Sequence, residues 1–107
     1  MKKDVFLVFG YANENFGYSA YSDARHDNWM CDALITDSMA KECGYNSAFA
    51  LLCALVGDSE VVTRIKHGTR WEGEQMPDFQ TMIETNEDGT FTLKDIVQQV
   101  TARNNNG

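Results

Sequence analysis

The chain has a single proline, and its only tract of biased composition is the short tail Asn104-Asn105-Asn106-Gly107. Disorder of the proline-rich kind is therefore not expected. Cysteine is scarce. Cys31, Cys43 and Cys53 are odd in number and form no C-x-x-C, so neither a disulfide framework nor a thiol zinc knuckle is signalled. No stretch reaches the roughly 18 apolar residues needed to cross a membrane. The start Met1-Lys2-Lys3-Asp4 has the basic flank of a signal peptide, but the apolar run 5–9 is too short and Asp4 interrupts it. A reducing, cytoplasmic setting without a membrane partner is expected, with all three cysteines reduced. No G-x-G-x-x-G occurs, since Gly10, Gly17 and Gly44 lack that spacing, and no cofactor is implied. Basic residues are also few: nine against sixteen acids give a net charge of −7. Direct nucleic-acid binding relies on clustered Lys and Arg and is disfavoured, whereas a basic protein partner gains by electrostatic complementarity.

At 107 residues, with 43% apolar and 23% charged, the chain suits one globular domain, residues 1–107, with 102–107 as a frayed tail. The run 5–9 (Val-Phe-Leu-Val-Phe) reads as a strand buried on both faces. Turn residues follow, then alternation over 16–21 predicts a second, antiparallel strand. Asp27 serves as the N-cap of a helix over 27–42, with Met30, Ala33, Leu34 and Cys43 as its buried stripe and Asp37 with Lys41 as a surface pair. Gly44 suits the position after the helix. On that helix Cys31 and Cys43 stand about 18 Å apart, too far to pair. A second helix, Ala48–Val56, is apolar all round and is expected at the centre of the core, with Gly57 ending it. From Glu60 the period becomes two, predicting a strand with Val61, Thr63 and Ile65 on one face, interrupted at Gly68. Residues 72–77 read as a polar connection. Residues 79–85 alternate as a further strand, 86–89 form a hairpin turn and 90–92 return as a short strand. Thr92 with Asp95 is a capping pair for a final helix whose apolar face is Leu93, Ile96, Val97 and Val100. The order ββααβββα implies an α+β fold. It has an antiparallel sheet of about four to five strands and about three helices packed on one face.

Four constellations carry possible chemistry. His26 stands with Asp23 and Asp27 where a metal or an oriented base is conceivable, although the spacing matches no metal motif and Asp27 already serves as a cap. His26 and His67 are the only histidines. Two imidazoles suffice for metal-free phosphodiester cleavage, with Arg64, Lys66 and Arg70 near His67 as cationic groups. Residues 61–70 hold those three bases and no acid, while 13–60 hold eight acids and only Arg25 and Lys41 as bases. A stripe of Arg64, Lys66 and Arg70 would recognise a small anion. Finally, residues 11–22 are rich in Tyr, Ser, Gly and Asn, the residues of binding loops, and Trp29 follows.

Three functional classes fit. The favoured one is a small acidic interaction module, or inhibitor, that presents Tyr11, Glu14, Tyr18, Tyr21, Asp23, Trp29 and Asp32 to a basic, nucleic-acid-binding protein. Small acidic proteins that imitate nucleic-acid charge, such as those phages use against host defence, share this composition but no matched motif. The others are a small metal-independent hydrolase or nuclease using His26 and His67, and a homodimeric structural or assembly subunit. Neither a catalytic residue nor a metal ligand is assigned.

Overall fold

A computed structural model of the protein describes residues 1–67 and 79–106. Its elements run β1 (Asp4–Ala12), β2 (Asn15–Tyr21), β3 (Trp29–Ile35), α1 (Asp37–Glu42), α2 (Ala48–Val56), α3 (Ser59–His67), β4 (Phe79–Glu84) and α4 (Leu93–Asn106). The expected α+β fold is present: four antiparallel strands in the order β3-β2-β1-β4 and, among the described residues, four helices.

Alternation in the strands sets the layers. Val5, Leu7 and Phe9 of β1 are buried, while Phe6 and Val8 between them are only half-buried. The helices cover one face, so β1 is not buried on both faces as its continuous apolar run suggested. Register places Phe16, Tyr18 and Ala20 of β2 beside Tyr11, Phe9 and Leu7 on the helix side. Ile35 of β3 and Ile83 of β4 complete that floor. The opposite face carries Phe6, Val8, Ser19, Tyr21, Asp32, Leu34 and Met82 and is not covered by any described helix.

The helix expected over 27–42 is in fact a strand followed by a short helix. Met, Ala and Leu in Trp29–Ile35 favour helix intrinsically, but β2 offers an unpaired ladder and tertiary context overrides so weak a preference. Thr36, not Asp27, caps α1, accepting from the Met39 amide at 3.2 Å. Asp37, expected to pair with Lys41, instead accepts from the Ala48 amide at 2.8 Å and ties α1 to α2. Cys31 therefore lies on a strand and Cys43 at a helix end, and all three cysteines are free. Gly44 takes φ +93°, the left-handed conformation expected after the helix.

α2 has the expected limits. Ser47 caps it, and Gly57 closes it at φ +82°. It buries Ala48, Leu51, Leu52 and Leu55 and leaves Phe49, Ala50, Cys53, Ala54 and Val56 partly exposed, so it is central without being enclosed all round. The strand expected from Glu60 is helix α3. Asp58 accepts from the Glu60 amide at 2.9 Å, and Val62 and Ile65, three apart, are fully buried. Val61, Thr63 and Ile65 satisfy a period of two, but Val61 and Ile65 also stand one helical turn apart, and the cap decides between them. On α3 the exposed Arg64 and Lys66 point apart, because residues two apart on a helix do not share a face. Arg64 and Lys66 therefore share no cationic face. Arg70, Gly68 and the 72–77 connection lie outside the described residues.

β4 ends at Glu84, and a turn with Gly89 at φ +83° follows. Residues 90–92 form no strand, for the chain passes directly into the cap of α4. The Thr92 amide donates to Asp95 Oδ2 at 2.8 Å and the Asp95 amide to Thr92 Oγ1 at 3.3 Å, the reciprocal capping pair expected. α4 runs to Asn106, into the stretch expected to fray, and the Asn104 side-chain amide donates to the Ala54 and Leu55 carbonyls, both at 3.2 Å, tying the helix to α2.

Candidate functional site

The residues singled out by sequence divide between the two faces. Tyr11 and Tyr18 lie on the helix side. The Tyr11 ring meets Phe16 edge-on, with centroids 4.9 Å apart. The half-buried Tyr18 ring stands 6.2 Å from both Phe9 and Phe91. Burial, and the neighbouring Cys31, raise the Tyr18 pKa above its ordinary value, as expected for a phenol in an apolar setting. Glu14 stands in the β1–β2 turn, where Asn13 (φ +54°) and Glu14 (φ +66°) are both left-handed, the geometry of a tight hairpin. Beside that turn a cleft of about 350 Å³ is lined by Tyr11, Glu14, Phe16, Asp37, Phe49 and Lys66.

Tyr21, Trp29 and Asp32 gather on the uncovered side. Tyr21 pairs with Trp29 across a register shift that bulges β3 at Met30. The Trp29 indole donates to Asp32 Oδ1 at 3.0 Å. Hydrogen bonds from Ser19, its register partner, and from Trp29 hold the Asp32 carboxyl below the usual carboxylate range, so it is ionised at neutral pH. On β3 itself Trp29 is 61% exposed, Leu34 49% and Met30, at the bulge, 40%, while the exposed Met82 stands across the sheet on β4. Met30 and Leu34 were missed by sequence reasoning, which placed them on the buried stripe of a helix. A period-two reading of Trp29–Ile35 would have set Met30, Asp32 and Leu34 apart from Cys31, Ala33 and Ile35.

Asp23 has a structural task. Its carboxylate accepts from the amides of Arg25 (2.9 Å), Asp27 (3.1 Å) and Asn28 (2.9 Å), closing the loop between β2 and β3. These bonds, the Asp27 amide foremost, lower its pKa. His26 sits in that loop at φ +61° with its ring 4.7 Å from Tyr21. His67 ends α3 on the exposed surface. Among the described residues no group of three or more His, Cys, Asp and Glu side chains is placed to hold a metal ion, and no helix is long and apolar enough to cross a membrane.

Comparison with family models, curated proteins and solved structures gives no significant match to this chain.

Proposed function

We propose that the protein is an interaction module that engages a basic protein partner through the uncovered side of its sheet. Trp29 serves as aromatic anchor, Asp32 as charged anchor, and Met30, Leu34 and Tyr21 as surrounding contact. One observation carries this reading: three large apolar side chains, Trp29, Met30 and Leu34, are exposed on the same strand as an ionised, oriented carboxylate, at a face without a described helix. Exposed apolar surface of this kind marks interaction sites, and buried aromatics supply most of the energy of an interface. A net charge of −7 favours a basic partner and fast, salt-sensitive approach. Glu14 and Asp23 contribute only to that field. Tyr11 and Tyr18, on the helix side, are outside the contact surface.

The test compares wild type with Trp29→Ala, Asp32→Lys and Tyr18→Ala as baits in the host lysate, at low and high salt, with captured proteins then purified for binding kinetics. Trp29→Ala is expected to speed dissociation at least about tenfold, as loss of an anchor does. Asp32→Lys should slow association and reduce its salt dependence. Tyr18→Ala should lower folding stability and leave the binding rates of the folded fraction unchanged. A partner that binds all four proteins alike, or whose binding is insensitive to salt, overturns the proposal. Loss of a phosphodiesterase activity in His26→Ala or His67→Ala would instead favour the hydrolase, and self-association abolished by Trp29→Ala the assembly subunit.

A further inference from the structure

The two edges of the sheet are treated differently. At the β4 edge α4 closes the ladder with side chains. The Gln99 amide bonds both main-chain groups of Glu84, accepting from its N–H at 2.8 Å and donating to its carbonyl at 2.7 Å, so it stands in for a neighbouring peptide group. Two residues earlier, the Arg103 guanidinium donates to the Met82 carbonyl. Alternate residues of an edge strand turn their main-chain groups outward, and here two successive ones are occupied.

At the β3 edge, among the described residues, no group outside β2 bonds the main chain of residues 31–35. The strand also lacks most of the usual protections, its one charge being Asp32. Trp-Met-Cys-Asp-Ala-Leu-Ile contains no proline, glycine, lysine or arginine, and its one bulge, at Met30, lies at the start. Five residues of open ladder, about 17 Å long, are left. An open edge of this length is a template for a further strand.

We propose that the outer edge of β3, residues 31–35, takes up an extended segment of the partner as a fifth strand, with a Lys or Arg opposite Asp32 and an apolar residue opposite Leu34. This rests on the interaction-module reading and names how the partner is held. The occupant follows from charge. Two copies of a chain carrying −7 repel each other, and Asp32 stands in the middle of the open edge, whereas a basic segment is drawn to it. Main-chain bonds to the ladder give affinity, and the alternation of Asp32 and Leu34 on the uncovered face selects a segment with basic and apolar residues two apart.

The probe is the capped peptide Thr-Val-Thr-Lys-Thr-Val-Thr, titrated into the full-length, isotope-labelled protein. Companion peptides replace Lys by Glu, or carry N-methyl groups on the odd or on the even residues. Amide shifts are expected at 31–35 and not at 80–84. Only one edge of an added strand faces the ladder, so one methylation pattern should weaken binding about tenfold or more and the other should not. The Glu peptide should bind more weakly than the Lys peptide to wild type, and the order should reverse for Asp32→Lys. Absence of shifts at 31–35, or equal binding of both methylated peptides, overturns strand addition. Equal binding with shifts on the uncovered face leaves the interaction-module reading standing, because that is side-chain docking. Equal binding of the Lys and Glu peptides overturns the basic segment. A concentration-dependent dimer in sedimentation, with exchange protection at 31–35 and no peptide present, overturns the choice of occupant in favour of a second copy.

Discussion

Gly17 shows how one hydrogen in place of a side chain sets the edge of the sheet. It pairs with Gly10 on one side and Leu34 on the other, and a Cβ built on it would lie 2.6 Å from the Ala33 carbonyl oxygen. That atom is main chain and cannot rotate away, so Gly17→Ala must move β3. The expected cost is about 1–3 kcal/mol, as for other forced overpacking. Denaturant unfolding should show it, and the amide shifts that move most should be those of 31–35. Asp23 teaches a related lesson. From sequence its carboxylate beside His26 suggested chemistry. In the fold three main-chain amides use it, and it organises the loop that turns β2 into β3.

Among the helices, α2 buries Ala48, Leu51, Leu52 and Leu55 in the core and α4 buries Leu93, Ile96 and Val100. Leu52 of α2 is fully buried, so Leu52→Ala should destabilise by about 2–5 kcal/mol in chemical denaturation. A loss below about 1 kcal/mol would place Leu52 outside the core. α4 packs Ile96 and Val100 inward and, with Gln99, seals β4. Gln99→Leu removes both bonds to Glu84 at a cost of about 0.5–1.5 kcal/mol each. It should also speed hydrogen exchange at the Glu84 amide and raise concentration-dependent association, because an edge that had been closed becomes open. Exchange at Glu84 unchanged from wild type would show that Gln99 does not guard this edge.

At the scale of the whole molecule, acid should lower the stability of the fold. Hydrogen bonds hold the carboxyls of Asp23, Asp32, Asp88 and Asp95 below their ordinary values, chiefly those from the Asp27 amide, the Ser19 side chain, the Thr90 side chain and the Thr92 amide respectively. Each folded-state pKa is thus depressed relative to the unfolded chain, where an Asp titrates near about 3.9. The stability they contribute is present above that value and is lost as pH falls through the folded values. The thermal midpoint should therefore stay level between about pH 5 and about pH 7 and fall below about pH 4. Asp32→Asn should lessen the fall, and a midpoint that rises on acidification would contradict this account.

The sequence by itself determined the local features whose physics is local: the span of α2 over Ala48–Val56 and its end at Gly57, the Thr92–Asp95 cap, the β1–β2 hairpin, a strand from Phe79, and the apolar face of α4. Each depends on residues within a turn of one another. Only the tertiary structure decided the rest. Trp29–Ile35 holds three good helix formers, Met30, Ala33 and Leu34, and becomes a strand because β2 offers it a ladder. The segment at 59–67 fits both periods; its cap at Asp58 is local and was legible, but it is packing that brings Val62 and Ile65 to the core together and so favours the helix. The candidate surface follows the same rule. Trp29, Asp32 and Leu34 were visible as residue types, but their common exposure depends on which side of the sheet the helices cover. That choice is made by the burial of Val5, Leu7 and Phe9, residues distant from all three in sequence.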